Sequence, residues 1–483
     1  MGDGVIGNTL GFGPNVEGSS PSPPANFKQM RITGIILAAG KGTRMKSDLP
    51  KVLHTVLGKK LISYAIDSIS GIDDTYVVVG HEADQVIQSM PSDIKTIIQH
   101  EQKGTGHAVS VVMESTSFQE DNSEYILIIP GDVPLISDVD VEELINKVIS
   151  SESSVGFLSS HVSNPFGYGR VVRGKDTIEI IEERDCSEDQ KKIDEINSGI
   201  YCFKKDFLTR YIKELDTSNA QGELYITDLI GIANNEKKDI VIVQVDEHSI
   251  QGINSMGQLN EVEDTLQKKI IQSFMEDGVY FQDPTSTYID ESVKISSGAK
   301  IFANSHIKGN TVIEENCEIG PNAQINDSHI GQGSKVINSV IDESKIESNG
   351  SIGPFAHIRP GSELADNVKV GAFAETKKSK IGKGSKIPHL AYVGDAELGT
   401  EVNFSAGAIT VNYDGKNKHK TDIKDGAFIG SDVMLVAPVT IGKESMIGAG
   451  SVITKDVPSK ALGIERSDQK NIEGYMDRKK KND

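Results

Sequence analysis

Isoleucine returns at every sixth position through Ile289, Ile295, Ile301, Ile307, Ile313, Ile319 and Ile325. The series slips and resumes through Ile346, Ile352, Ile358, Leu364 and Val370, then Ile381, Ile387 and Val393. After a loop it returns at Ile423, Ile429, Leu435, Ile441, Ile447 and Ile453. A step of six fits neither the turn of an α-helix nor the alternation of a lone strand. It predicts a parallel β-helix over about residues 285–455, in which three hexapeptides make one triangular coil and each aliphatic side chain points inward. Gly320, Gly353, Gly382, Gly430, Gly442 and Gly448, beside the aliphatic positions, suit tight corners.

Upstream the pattern is different. Ile35–Leu37, Tyr76–Val79 and Tyr125–Ile129 are apolar runs, each followed by Gly or a Gly-containing turn and separated by amphipathic stretches. That alternation predicts a Rossmann-like α/β domain, a mostly parallel sheet with helices on its faces. In such sheets ligands bind beyond the carboxyl ends of the strands. Leu259, Val262, Leu266, Ile270 and Phe274 recur at spacings of three and four, which predicts a bridging helix. The expected organisation is a flexible extension over 1–30, the α/β domain over 31–255, a linker helix within 256–284, the β-helix over 285–460 and a tail over 461–483.

Composition narrows the function. With 483 residues the chain exceeds a single core. Its net charge of −20 repels polyanions, which argues against general nucleic-acid binding and requires any phosphate site to be a local basic pocket. No apolar run approaches the roughly 18 residues needed to span a bilayer, and residues 1–30 lack a basic start followed by an apolar stretch, so a cytoplasmic location is expected. Cys186, Cys202 and Cys317 have no metal or disulfide spacing and read as reduced structural thiols.

Directly after Leu37 comes Ala38-Ala39-Gly40-Lys41-Gly42-Thr43-Arg44-Met45, then Leu49-Pro50-Lys51. Glycines let the backbone turn its N–H groups toward a phosphate, and Arg44 and Lys51 supply positive charge. The spacing is neither that of a P-loop nor GxGxxG. Glycine count alone leaves this loop undecided between a phosphate cradle and an ordinary strand-to-helix turn, but the full string resembles the signature loop of sugar-1-phosphate nucleotidyltransferases, whose fold is GT-A-like. Gln99, Gln102, Gly104 and Thr105 offer amides and backbone groups suited to a pyrimidine edge. They favour uracil without excluding thymine, which differs by one methyl. Asp132 in Gly131-Asp132-Val133-Pro134 follows an apolar strand, a position suited to Mg²⁺ bridging nucleotide phosphates.

The resemblance implies further roles. Leu37, Ala38, Ala39 and Gly40 would contact UTP, Asn254 would share the metal with Asp132, and Gly167, Glu182 and Asn197 would hold the sugar phosphate. One departure stands out, because Pro130 occupies a place where bacterial relatives commonly carry Tyr. The reaction this set supports needs no side-chain nucleophile, since the attacking sugar phosphate is already ionised. Positioning and charge neutralisation by Mg²⁺, Arg44 and Lys51 would do most of the catalysis.

Polar residues also interrupt the hexapeptides. Arg359, Lys377, His389, Tyr392 and Asn403 recur over neighbouring coils, and residues about 18 apart should stack, which puts Arg359 and Lys377 on one side as a phosphate clamp. A neutral imidazole such as His389 can take a proton from an attacking amine. The loop Val411–Lys420 breaks the period where a loop has work to do.

Over residues 31–475 the chain resembles the bifunctional bacterial N-acetylglucosamine-1-phosphate uridylyltransferase/glucosamine-1-phosphate acetyltransferases. That resemblance implies a left-handed β-helix with His389 as general base and Arg359, Lys377, Tyr392 and Asn403 on glucosamine 1-phosphate. Ala406, Asn412, Tyr413, Ser431, Ala449 and Arg466 would line the acetyl-CoA site. It further implies a homotrimer with acetyltransferase sites between β-helices, and N-acetylglucosamine 1-phosphate passing from one half to the other. Val411 stands where relatives often have Cys. Two competing readings predict different chemistry: a single-activity nucleotidyltransferase with a structural or regulatory β-helix would not turn over acetyl-CoA, and a decayed nucleotide-sugar-binding scaffold would release no pyrophosphate.

Overall fold

The computed structural model describes residues 30–479, so the expectation for 1–30 falls outside the described residues except at Met30. The chain divides into two compact units, residues up to Leu53 with Ile62–Gly252, and His54–Leu61 with Ile253 onward.

The first unit is built on a nine-stranded sheet. Its strands are β1 (Ile32–Ala38), β2 (Asp74–Val79), β3 (Lys95–Ile98), β4 (Tyr125–Pro130), β5 (Val155–His161), β6 (Arg170–Arg173), β7 (Ile178–Ile181), β8 (Glu195–Lys204) and β9 (Ile240–Gln244). The main order is β9-β5-β8-β4-β1-β2-β3, with β6 paired to β8 and β7 to β6. Strands β4, β1, β2 and β3 run parallel, as the sequence predicts. Strand β8 does not: it lies antiparallel between β4 and β5 and carries the β6–β7 hairpin. Successive side chains of β1 feed opposite faces, Ile36 into one apolar core and Ile35 into the other, and both are fully buried. The helices that matter to the site are α1 (Thr105–Glu114), α2 (Asp138–Ser150) and α3 (Asp228–Asn235). Helix α2 starts at Ser137, whose hydroxyl accepts from Asp140 N–H in a capping box.

The second unit begins with α4 (Met256–Glu276), whose inward face is Val262, Gln267 and Ile271. Gln267 ties the helix to the first coil, donating through Nε2 to the Thr287 carbonyl at 2.8 Å. The coils stack into three parallel sheets of 11, 10 and 9 strands, a left-handed β-helix. Ile301 pairs with Ile319, and Ile319 with Val336, one coil on. The solenoid is longer than the sequence predicts, because Tyr280–Phe281 already pairs with the second coil and Leu462–Gly463 closes the last. The slip after Ile325 is spread over Ile330, Val336, Ile341 and Ile346, all fully buried, where shorter corners keep the column aligned.

From Asn304 onward one corner column takes a left-handed backbone in six successive coils, and continues through Gly407, Asp432 and Gly450. It is filled by Asn304, Asn322 and Asn338, then by Phe355, Phe373 and Leu390, with φ between 43° and 60° in the first five and 46° at Leu390. Asparagine tolerates that conformation; a bulky side chain there costs roughly 1–2 kcal/mol. The second unit also takes in a short hairpin from early in the chain, Thr55–Val56 paired with Lys59–Lys60. The Leu57 carbonyl accepts from Glu291 N–H at 3.1 Å, and Lys59 pairs with Glu291 at 2.9 Å. At Gly58 a Cβ would strike the Asp290 carboxylate at 2.6 Å.

Candidate active sites

Where β1 and β4 end side by side, the first unit opens a cavity of about 470 Å³. Leu37, Ala38, Ala39, Gly40, Lys51, Gln99, Gln102, Gly104, Thr105, Asp132, Glu182 and Asn197 all line it, so most of the residues selected from the sequence converge on one space. The loop after β1 crosses Lys51 so closely that a Cβ on Gly42, whose φ is 59°, would lie 2.6 Å from Lys51 Cβ. Lys51 in turn forms an ion pair with Asp132, each side chain 15% exposed.

The Gln99 amide is buried and donates through Nε2 to the Gly104 carbonyl at 3.2 Å. Gly104 has φ 104°, and a Cβ there would meet the Leu224 carbonyl oxygen at 2.5 Å. Gln102, expected with Gln99 on the base, lines the same cavity, and its Nε2 donates to the Ala39 carbonyl at 2.6 Å, bracing the phosphate loop. On the opposite wall, Asn197 Nδ2 donates to the buried Tyr201 hydroxyl at 2.6 Å, and Thr227 Oγ1 donates to Glu182 at 3.3 Å. Burial pushes the Glu182 carboxyl up, an effect reinforced by Asp228, Asp185 and Glu223.

Pro130 also borders the cavity, its ring facing Gly199, with no N–H or hydroxyl to offer a ligand. Gly167 and Arg44 are exposed residues outside the lining. Gly167 N–H donates to Glu183 at 3.0 Å. Asn254 belongs to the second unit, before α4, where its N–H donates to Gln258. The sequence reasoning passed over Tyr201 and Thr227. Tyr201 sits four residues after Asn197 across the irregularity in β8, and no local motif marks either residue.

On the β-helix, Arg359 N–H donates to the Thr376 carbonyl one coil on, which sets Arg359 beside Lys377 as predicted. Arg359 pairs with Glu375 at 2.6 Å. Lys418, from the loop that breaks the period, and then Arg359 push the Lys377 ammonium below the usual lysine value. Tyr392 continues the Glu375 column, and Asn412 Nδ2 reaches its hydroxyl at 3.5 Å and Asp395 at 2.5 Å. The loop is ordered by Asp414, which accepts from the N–H groups of Lys416 and Asn417 and from His419.

His389 ends the strand Lys386–His389 at an exposed corner, three residues before Tyr392 on the next face. Asn403 lies on the face of that strand rather than on the Arg359 face, and donates to Ser405. Ala406, Ser431 and Ala449 stack at one corner, with Arg466 donating to the Ala449 carbonyl at 2.9 Å. Tyr413 is exposed nearby in the chain and donates its hydroxyl to Gly415. Glu375 and Lys418 were not singled out from the sequence; an offset of one coil from His357, two residues before Arg359, marks the first.

Comparison with known proteins gives the family. Residues 33–248 match the family "Nucleotidyl transferase", 286–381 the "GMPPB C-terminal domain" and 420–455 "Bacterial transferase hexapeptide (six repeats)". The "Bifunctional protein GlmU" of Shouchella clausii (strain KSM-K16) is 44% identical over 447 residues, 92% of this chain and 98% of that protein. Those of Clostridium beijerinckii and Thermosipho africanus are 45% and 46% identical, each over 92% of this chain and 98% and 97% of theirs. The chain belongs to the GlmU family. As a GlmU it is a bifunctional transferase of UDP-N-acetylglucosamine biosynthesis, with a nucleotidyltransferase half and a hexapeptide acetyltransferase half. A single-activity enzyme with a purely structural β-helix is set aside.

Proposed function

We propose that the cavity at the ends of β1 and β4 is the uridylyl-transfer site and that the Arg359–Lys377–His389–Tyr392 region of the β-helix is the acetyl-transfer site. The observation that carries the first assignment is the meeting of Lys51, Asp132, Gln99, Glu182 and Asn197 around one cavity. In this reading Gln99 faces uracil, the Leu37–Gly40 backbone the triphosphate, and Glu182 and Asn197 the sugar. Arg44 and Gly167 close on the ligands from outside the lining.

Asp132, a carboxylate at a strand end beside Lys51, fits Mg²⁺, which takes one or two protein oxygens and fills its shell with phosphates and water. When bound, the ion would neutralise phosphate charge. The phosphate oxygen of N-acetylglucosamine 1-phosphate attacks the α-phosphorus of UTP in line, the bond to the β-phosphate breaks, and pyrophosphate leaves. Lys51 exchanges Asp132 for the charge that builds on the phosphates.

In the second site the amine of glucosamine 1-phosphate attacks the thioester carbonyl of acetyl-CoA. His389 removes the amine proton, the C–S bond breaks, and the CoA thiolate leaves to be protonated. Arg359 and Lys377 hold the sugar phosphate with Tyr392 and Asn403, and the Ala406–Ser431–Ala449 corner with Arg466, Asn412 and Tyr413 holds acetyl-CoA.

The β-helix works as a homotrimer in this reading. Phe355 and Phe373 stack at 5.3 Å, yet each remains more than half exposed and both occupy the costly left-handed corner, which suits burial against another copy. The three free, buried cysteines fit the reducing cytoplasm, where both substrates are to hand.

His389→Ala tests the division of labour. It should abolish thiol release from acetyl-CoA while supplied N-acetylglucosamine 1-phosphate is still converted with UTP; persistent thiol release would remove His389 from the chemistry.

A further inference from the structure

The Gln99 amide has its orientation imposed on it. Its Nε2 faces two partners at once, the Gly104 carbonyl oxygen at 3.2 Å and His107 Nδ1 at 3.0 Å, and its side chain is buried. A carbonyl oxygen only accepts, so the end of the amide facing Gly104 is the NH₂ end. The second hydrogen of that NH₂ then goes to His107, whose Nδ1 must offer a lone pair while Nε2 carries the ring proton. With its nitrogen committed, Gln99 has its oxygen left to present to the cavity it lines. The ring is held in place because His107 lies half-buried in the first turn of α1, just beyond Gly104 and its close contact with Leu224.

We infer that His107 is a positioning residue that, together with the Gly104 carbonyl, sets the choice of uracil over cytosine by holding the Gln99 amide in one orientation. The inference rests on the uridylyl-transfer assignment above. Uracil N3 carries a hydrogen, which an amide oxygen accepts; cytosine N3 carries a lone pair, which needs a donor. The two bases demand opposite ends of the same amide. A glutamine able to flip would serve both, but here the flipped amide would set its oxygen against the Gly104 carbonyl, which can only accept, and His107 would keep its bond only by moving its ring proton from Nε2 to Nδ1. Thymine carries the same N3–H as uracil, so His107 does nothing to separate those two.

The test is kcat/KM for UTP, CTP and 5-methyl-UTP, with N-acetylglucosamine 1-phosphate as acceptor and Mg²⁺ present, on the full chain and its variants. His107→Ala should lower the UTP/CTP ratio about tenfold, the effect of one lost hydrogen bond to a buried amide. The ratio of 5-methyl-UTP to UTP should hold. His107→Asn, whose Oδ1 can accept where Nδ1 did, should restore the UTP/CTP ratio to within about threefold. His107→Phe, which keeps the ring but not the acceptor, should behave like the alanine variant and replaces it if that variant loses its folded first unit. An unchanged UTP/CTP ratio in the alanine and phenylalanine variants, or an equal loss with all three nucleotides, would overturn the inference. Gln99→Ala separates the two levels: if it too leaves the ratio unchanged, the base is not read at Gln99 and the assignment of the cavity fails first.

Discussion

Lys51→Met isolates the charge that the uridylyl-transfer reading places on the reacting phosphates. In the ligand-free protein Lys51 is already paired with Asp132. Moving it onto a triphosphate therefore exchanges one anion for another, and the gain in ground-state binding is small. The gain comes when charge builds on the phosphates during transfer, where a pre-placed donor contributes about 3–4 kcal/mol, or 10²–10³ in rate. The expected result is a fall in kcat of about 10²–10³-fold with KM for UTP moved by less than about threefold. The substitution also leaves the Asp132 carboxylate, mostly buried, without its partner, at a cost of about 2 kcal/mol in the stability of the first unit. Pyrophosphate release measures the first effect. Thiol release from acetyl-CoA, carried by the β-helix, is the internal control and should not change. A kcat within about threefold of the parent, or a loss lying wholly in KM, would show that Lys51 binds substrate without assisting the chemistry.

Two further outcomes test the architecture. Burial works against ionisation of Asp121, but hydrogen bonds from Ser123 and Thr33 and the Lys205 ammonium outweigh it and hold the carboxyl at about 2. Because the folded value lies below the ordinary one, the stabilisation is fully present above about pH 4 and disappears as pH falls toward 2. It amounts to about 2 kcal/mol and should be absent from Asp121→Asn in melts followed across that window. Replacing Phe355 and Phe373 together with Ser should lower the mass seen by light scattering toward that of one chain. An unchanged mass would move the self-association surface elsewhere.

The β-helix could be read from sequence because one side-chain type marks one geometric position in nearly every coil, and every isoleucine in the first series is buried. Its ends were less visible. Tyr280–Phe281 and Leu462–Gly463 complete coils through backbone pairing, with Phe281 and Gly463 at the positions that pair with Ile301 and Ile447, so no isoleucine marks them. The cavity residues were legible where a strand end and a glycine turn coincide, as at Asp132 and Gly40. Tyr201 and Thr227 were hidden because their roles arise from a strand and a helix start brought together over the cavity, not from neighbours in the chain. Gln102 shows the limit of residue type: an amide can be picked out from the sequence, but that its donor braces the Ala39 carbonyl of the phosphate loop is visible only in the fold.

The hairpin at Thr55–Lys60 makes the second unit discontinuous in sequence. A ribosome delivers that piece of the β-helix unit some two hundred residues before the coil it docks on, so the pairing of Lys59 with Glu291 closes only late in synthesis. A fragment beginning at Ile253 would carry every coil and still lack this strand pair, leaving Glu291 N–H without Leu57 and Asp290 without its glycine neighbour. The two activities can be assigned to separate stretches of residues, but no single cut releases both units whole.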